Sequence, residues 1–332
     1  MLVPDLRERR YLDRGRGEIM LLVVVGAILA VGAVFGVAWA AGLDAVRDRL
    51  LHVDLVWLPV AAAVLLPAYA GYISAYRAVT EVEGERPLEW RATAAVVATG
   101  FGIFHVRGGL GVDLEAMHQS CSSPAEARSR VLGLGALEYA VLAPAASVAA
   151  MLVLVEGTRI SWGMTLPWAI CVPLGFLFGF AALRHNGRLH RRGGFAGAIA
   201  QALEGVDILR RLAFTSPRVT ISAYAGMTLY WAAEIFALWA MLHAFLGHAP
   251  DLPSVIVGYA TGYALTRRTL PLAGAGVVEA LLPFALAWVA VVPLAPAVLA
   301  VFAYRIVNLW LPLVPAAAAV PRVRRLRGRL GP

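Results

Sequence analysis

Long apolar runs with few or no charged residues recur along the chain. The first, Ile19 to Leu43, contains no charge over 25 residues, and about 20 apolar residues in a helix are enough to cross the hydrocarbon core of a bilayer. Comparable runs, with at most one charged residue each, follow at Leu55 to Tyr76, Val131 to Val155, Ile160 to Leu183, Val219 to Leu246 and Pro296 to Val320. The pattern predicts an all-α fold, a polytopic integral membrane helical bundle of about six to eight spans.

Two further apolar stretches are too short to cross comfortably, and each meets a glycine-rich polar break. They are Ala92 to Phe104, followed by Arg107, Gly108 and Gly109, and Leu252 to Thr266, followed by Arg267, Arg268, Gly274 and Gly276. Half-length apolar helices beside such breaks predict broken or re-entrant helices. We expect region 92–124 to form a re-entrant hairpin, whereas region 252–292 is either a second hairpin or two full spans.

The two breaks resemble each other, which suggests an internal repeat. Both Gly100 to Met117 and Gly262 to Leu282 contain an apolar lead-in, arginine, a glycine cluster, a small apolar run and then glutamate followed by alanine. If the two breaks begin on opposite sides of the membrane, they form an inverted repeat, a pattern that brings broken helices together near the midplane.

The remaining segments are arginine-rich tails and a loop around one transmembrane domain at residues 19–320. The tails are residues 1–18 and 321–332, and the loop covers about residues 184–218. Because arginine-rich flanks stay on the cytoplasmic side, we expect both termini in the cytoplasm and the domain in a bacterial-type plasma membrane. A cleaved signal peptide is the alternative for the first span, although its apolar run is longer than a signal sequence needs.

Apolar residues within the loop recur at helical spacing, at positions 195, 199, 203, 206, 209 and 212. Steps of three and four place these residues on one face of a helix. Two interpretations stay open. The helix lies at the membrane interface on the cytoplasmic leaflet, or it is a connector whose apolar face packs on the bundle.

Composition narrows the classes of function. The chain is 60% hydrophobic and 15% charged, whereas soluble domains carry about 25% charged residues. All 29 basic side chains are arginine, so the lysine of a nucleotide-binding P-loop or of a Schiff base is missing. Cys121 and Cys171 lie too far apart in sequence for a structural zinc motif. We expect no metal and no cofactor. The net charge of +8 gathers at the ends of apolar runs, which favours membrane lipids over nucleic acid as partners.

Charged residues inside apolar runs are candidates for function, because each costs about 2.5 to 3.5 kcal/mol to insert. The candidates are Glu138, Glu234 and Arg305 in the long runs and Glu279 in the apolar stretch after the second break, with Arg107, Glu115, Arg267 and Arg268 near the breaks. Glycine-rich backbone that opens a helix directs N–H groups at an anion, and a guanidinium group offers paired donors to phosphate. We therefore predict phosphate-binding sites at Gly108 and Gly109 and at Gly274 and Gly276.

Structural roles are the alternative for the same residues. The two arginines of the second break could extend from a span end toward the headgroups. The sole role of Arg305 could be to neutralise Glu279 or Glu234 within the bundle. Glu138 could be structural, or the partner of an arginine such as Arg107.

The block from Leu270 to Glu279 resembles a signature of the flippase-like family, which includes the membrane region of lysylphosphatidylglycerol synthases. That family carries a similar proline, glycine-rich and valine-valine-glutamate block, followed in its final span by an arginine near an aromatic residue and a proline. Here Tyr304-Arg305 and Trp310-Leu311-Pro312 match, and Gly108-Gly109, the turn from Ser123 to Ala127 and Leu137-Glu138 resemble the first half of the family. The family commonly has glutamate-arginine where this chain has Glu138-Tyr139.

The resemblance implies a stand-alone membrane domain, without the soluble aminoacyltransferase domain, that moves an amphiphile between leaflets. The expected cargo is an anionic or phosphate-bearing lipid or a polyprenyl-phosphate-linked compound, with its headgroup held by arginines at the broken helices. Two alternatives stay open: a membrane-embedded transferase acting on a lipid-linked donor, and a non-catalytic membrane subunit. A second copy of the chain or a partner membrane or transferase protein is the expected protein partner, if there is one.

Overall fold

The computed structural model describes residues 16–82, 88–101, 110–118, 121, 123–156, 161–183, 194–264, 270–313, 315–316 and 318–319, and within these ranges it is helical with no strand. The helices are α1 (Arg16–Ala41), α2 (Leu43–Leu51), α3 (Trp57–Thr80), α4 (Trp90–Gly100), α5 (Leu110–His118), α6 (Pro124–Glu156), α7 (Trp162–Leu183), α8 (Gly194–Ala213), α9 (Pro217–Leu246), α10 (Leu252–Tyr259), α11 (Val277–Val289) and α12 (Leu294–Trp310).

Six helical segments among the described residues are long and apolar enough to cross a membrane, and α12 is a shorter apolar helix. The six are Met20–Ala41, Trp57–Thr80, Pro124–Glu156, Trp162–Leu183, Pro217–Leu246 and Leu272–Val289. The predicted polytopic helical membrane bundle is therefore confirmed. The domain boundaries and the placement of the termini stay predictions.

The centre of the bundle is formed by α9, which is the most buried of the spans and packs along α3. Their crossing is made by two glycines: a Cβ atom on Gly71 would lie 2.5 Å from the carbonyl oxygen of Gly226, and the reverse distance is also 2.5 Å. In lipid, where apolar side chains gain little from leaving their surroundings, small residues allow this close van der Waals packing. In contrast, α1 and α7 lie at the periphery, with 17% and 6% of their spans buried.

The helix predicted within the arginine-rich loop is present as α8, and it packs against α6. Gly133 of α6 faces Ile208, and a Cβ atom on Gly205 of α8 would lie 2.6 Å from the carbonyl oxygen of Leu132. The packing of α8 on α6 therefore agrees with the interpretation of this helix as a connector whose apolar face packs on the bundle. Its position at a membrane interface stays a prediction.

Both predicted breaks lie between short helices that contact each other. The first pair is α4 and α5, of 11 and 9 residues, or about 17 and 14 Å at 1.5 Å per residue. The second pair is α10, extended by a π-helical segment at Ala260–Ala264, and α11, preceded by a 3₁₀ turn at Pro271–Gly274. At the second break the helix is interrupted by this turn, as the sequence predicts, whereas residues 102–109 of the first break lie outside the described residues. The inverted repeat stays a prediction.

Candidate functional site

An ion pair is buried where α12 meets the start of α11. Arg305 and Glu279 are each 1% exposed, and the Arg305 Nε–H donates to Glu279 Oε1 at 2.8 Å. The second carboxylate oxygen of Glu279 accepts the backbone N–H of Gly276 at 2.7 Å, so this side chain caps its own helix. Of the two structural roles considered for Arg305, pairing with Glu279 is the one that the geometry shows.

Arg305 also holds the turn before α11, because its Nη2 donates to the carbonyl oxygen of Ala273 at 3.1 Å. The turn is strained: Leu272 and Ala273 have φ of 54° and 52°, in the left-handed region. Non-glycine residues in that region cost about 1 to 3 kcal/mol each and persist only where their surroundings impose them. Gly274 and Gly276, with φ of 69° and 85°, adopt positive φ without the clash of a Cβ atom.

A second buried carboxylate, that of Glu234 on α9, lies beside the part of α12 that carries Arg305. It is 2% exposed. The Tyr304 hydroxyl donates to its Oε2, and the amide nitrogen of Asn308 lies 2.8 and 2.6 Å from its two oxygens. The hydrogen-bond donors to Glu234 among the described residues are therefore neutral.

Tyrosine hydroxyl groups extend this network to α10 and α3. Tyr263 donates to the Asn308 side-chain oxygen at 2.8 Å, and the Tyr259 and Tyr304 hydroxyls lie 3.3 Å apart. From α3, Tyr69 donates to the backbone oxygen of Asn308 at 3.3 Å. We use the term buried polar cluster for Glu234, Tyr259, Tyr263, Glu279, Tyr304, Arg305 and Asn308. It joins four helices by side-chain hydrogen bonds inside an apolar bundle.

Glu138 on α6 occupies a neighbouring position. Its Oε1 accepts the Tyr72 hydroxyl at 2.6 Å, and its backbone oxygen accepts the Trp231 indole N–H at 3.0 Å. Trp231 and Glu234 are one helical turn apart on α9, so Glu138 and the buried polar cluster approach the same side of that helix.

The structure thus brings together four of the predicted site residues: Gly274, Gly276, Glu279 and Arg305. Glu234 lies next to them across Tyr304 and Asn308, and Glu138 lies on the other side of Trp231. Arg107, Gly108, Gly109, Arg267, Arg268 and the side chain of Glu115 lie outside the described residues. At the second break, the Gly276 N–H that was predicted to bind phosphate donates to Glu279 instead.

Sequence reasoning missed the neutral members of the cluster. The pairs Tyr259/Tyr263 and Tyr304/Asn308 each have a spacing of four, which places polar groups on one face of each helix, and this spacing was a usable signal. Arg130 was also missed. It is 1% exposed, pairs with Glu126 and donates to the carbonyl oxygens of Thr80 and Val82 at the end of α3.

These features agree with a known family. The family model described as the lysylphosphatidylglycerol synthase TM region matches residues 21–316, which is most of the chain. The chain belongs to this family. The resemblance seen in the sequence is therefore confirmed. Membership of the lysylphosphatidylglycerol synthase TM region family indicates a lipid-related role in a membrane. Both family-like motifs of the last third, Leu270 to Glu279 and Tyr304-Arg305, are joined by the Arg305–Glu279 ion pair. A search of curated proteins found no match.

Proposed function

We propose that this protein moves a phosphate-bearing lipid, or a polyprenyl-phosphate-linked compound, between the two leaflets. The observation that carries the proposal is the buried polar cluster, in which Arg305 lies 1% exposed among membrane-spanning helices. A charged side chain in such a place costs free energy on insertion and is a functional candidate by default. Family membership supports a lipid as the substrate.

Arg305 retains donors for a ligand. A guanidinium group has five N–H bonds, and the hydrogen bonds of Arg305 to described residues use one at Nε and one at Nη2. The remaining N–H bonds suit phosphate oxygens, which arginine binds through paired donors. The Tyr263 hydroxyl and the Asn308 amide are further groups with which a headgroup can exchange hydrogen bonds as it passes.

Transport is downhill or coupled to an ion, because the chain has no lysine with which to build the P-loop of an ATPase. The lipid tails remain in the bilayer, and only the headgroup crosses through the cluster. Passage of the headgroup through polar side chains lowers the free-energy cost of moving a phosphate across the hydrocarbon layer, where an unpaired charge is strongly disfavoured.

The test is leaflet exchange in liposomes. Purified protein is reconstituted with a fluorescent phosphatidylglycerol, and dithionite, which reduces only the probe in the outer leaflet, reports how quickly inner-leaflet probe appears there. The wild type should accelerate exchange, the double variant Arg305→Met with Glu279→Gln should abolish the acceleration, and Arg47→Gln, at an exposed position on α2, should keep it. Exchange at the rate of empty liposomes for phosphatidylglycerol and for a polyprenyl phosphate would refute the proposal.

The two alternatives give different results in parallel measurements. A transferase would convert a lipid-linked donor, which mass spectrometry of the lipid extract detects, without leaflet exchange. A non-catalytic subunit would co-purify with a fixed protein partner and would neither convert nor move lipid.

A further inference from the structure

A wide groove in the bundle shares none of its lining residues with the buried polar cluster. It lies between α6, α7 and α8, has a volume of about 1140 Å³, and is lined almost entirely by apolar side chains. Drug-sized ligand pockets have volumes of about 300 to 1,000 Å³, so this groove has room for a larger molecule. We refer to it as the lateral groove.

One wall of the lateral groove is a helix at the outside of the bundle. Only 6% of the α7 span is buried, and Phe176 and Phe180, which line the groove, are exposed. Gly175 and Gly179 also line it, and a Cβ atom added to either would meet nothing within 4 Å. Because this helix is apolar and little buried, we expect the groove to open sideways to the acyl chains of the bilayer. The two glycines leave space along its α7 wall.

The depth of the groove matches one leaflet. Its α7 wall runs from Cys171 to Leu183, a rise of about 18 Å at 1.5 Å per residue. Half of a hydrocarbon core about 30 Å thick is about 15 Å. The acyl chains of a single leaflet fit this depth, whereas a ligand that spans the bilayer does not.

The end of the groove near the loop is cationic. The end of α7 and the start of α9 lie on one side of the bundle, and Arg210, in the last turn of α8, lines the groove there. Its neighbour Arg211 pairs with Asp207 at 2.8 Å, whereas no carboxylate among the described residues pairs with Arg210. A second hollow of about 490 Å³ adjoins at Arg210 and Phe214 and is also lined by Thr215 and by the paired Asp207 and Arg211.

We propose that the lateral groove binds an anionic phospholipid, with its acyl chains between α6 and α7 and its phosphate at Arg210. The charges are complementary, because the guanidinium of Arg210, which pairs with no carboxylate in the described part of the chain, lies at one end of an otherwise apolar groove. The arginine-rich side of the protein, which we expect in the cytoplasm, makes this a site for the inner leaflet. The site does not include the buried polar cluster, so the proposal stands independently of translocation.

The test is native mass spectrometry of the intact protein in detergent, titrated with phosphatidylglycerol or with phosphatidylcholine of the same acyl chains. The wild type should bind phosphatidylglycerol more tightly than phosphatidylcholine. Arg210→Gln should weaken phosphatidylglycerol binding about fivefold, the equivalent of about 1 kcal/mol per arginine at a lipid surface, and should leave phosphatidylcholine binding unchanged. Gly179→Leu should narrow the groove and weaken the binding of both lipids.

Two matched variants control for charge and for bulk. Arg218→Gln removes an exposed arginine near the same end of the bundle, and Gly36→Leu adds the same side chain on a glycine of α1 that faces open space. Each should weaken lipid binding clearly less than the variant that it controls. The proposal is overturned if Arg210→Gln and Gly179→Leu bind phosphatidylglycerol as tightly as these controls. It is also overturned if Gly179→Leu only dissociates a dimer, because the groove would then hold a second copy of the chain.

Discussion

Removing one partner of the Arg305–Glu279 ion pair should destabilise the protein far more than removing both. Each side chain is 1% exposed, and their atoms are 2.8 Å apart, so either single substitution leaves a charge in an apolar interior. Loss of one partner of a buried pair costs about 3 to 5 kcal/mol, whereas replacement of both by neutral groups of similar size is often neutral or stabilising.

The magnitude for each variant follows from the bonds that it loses. Arg305→Met removes the ion pair and the hydrogen bond to Ala273, and the second loss adds about 0.5 to 1.5 kcal/mol. Glu279→Gln keeps an oxygen that accepts the Gly276 N–H but removes the charge that neutralises Arg305. We therefore expect Arg305→Met to be the more destabilising single variant and the double variant to be more stable than either.

The assay is a double-mutant cycle, with the free energy of unfolding measured by denaturant titration in mild detergent and followed by circular dichroism. Arg47→Met on the exposed face of α2 serves as the matched control and should change stability by less than about 0.5 kcal/mol. The reasoning is refuted if the two single effects add in the double variant, because contacting residues in a closed pair must show an interaction energy.

Three further predictions concern packing and hydrogen bonding. Gly226→Val should separate α3 from α9 and lower the unfolding free energy by about 1 to 3 kcal/mol or more, whereas Gly36→Val, in open space, should not; equal effects in the same titration would contradict the close crossing. Gly276 has a φ of 85°, and a Cβ atom added there would lie only 3.1 Å from Leu29, so Gly276→Ala should destabilise the protein by about 1 to 3 kcal/mol. Gly32→Ala in α1 should instead stabilise it by about 0.5 to 1 kcal/mol. A gain in stability at both positions would argue against the strained turn. Tyr304→Phe removes a donor to buried Glu234 and should cost about 1 to 3 kcal/mol in thermal or chemical unfolding; an unchanged stability would mean that this hydrogen bond is absent.

The spans were predictable from the sequence because a bilayer imposes a minimum length of apolar helix that few other contexts produce. The run Ile19 to Leu43 corresponds to α1 (Arg16–Ala41), and the amphipathic pattern beginning at residue 195 corresponds to α8 (Gly194–Ala213). The second break was also predictable, because arginine and clustered glycine interrupt the apolar run there, and the structure has a 3₁₀ turn at Pro271–Gly274. The π-helical ends of α10 and α12 left no comparable signal.

Partners within the site were harder to predict, because they depend on how distant helices pack. Arg305 had two candidate partners, Glu279 and Glu234, and spacing along the chain does not decide between them. In the structure Arg305 pairs with Glu279, while Glu234 accepts hydrogen bonds from Tyr304 and Asn308. Likewise, no feature of the local sequence predicted that the Gly276 N–H would donate to the Glu279 carboxylate, which leaves it unavailable to a phosphate. Only the tertiary contacts distinguish a polar group that faces a partner from one that faces lipid.

The most direct test of the central claim is the position of a lipid phosphate in a cryo-electron microscopy structure of the protein in nanodiscs that contain phosphatidylglycerol. We predict a headgroup phosphate within hydrogen-bonding distance of the Arg305 guanidinium, with the Glu279 contact lengthened or replaced. The account would be contradicted by an Arg305 that keeps only Glu279 and Ala273 as partners while every ordered phosphate lies at the membrane surface.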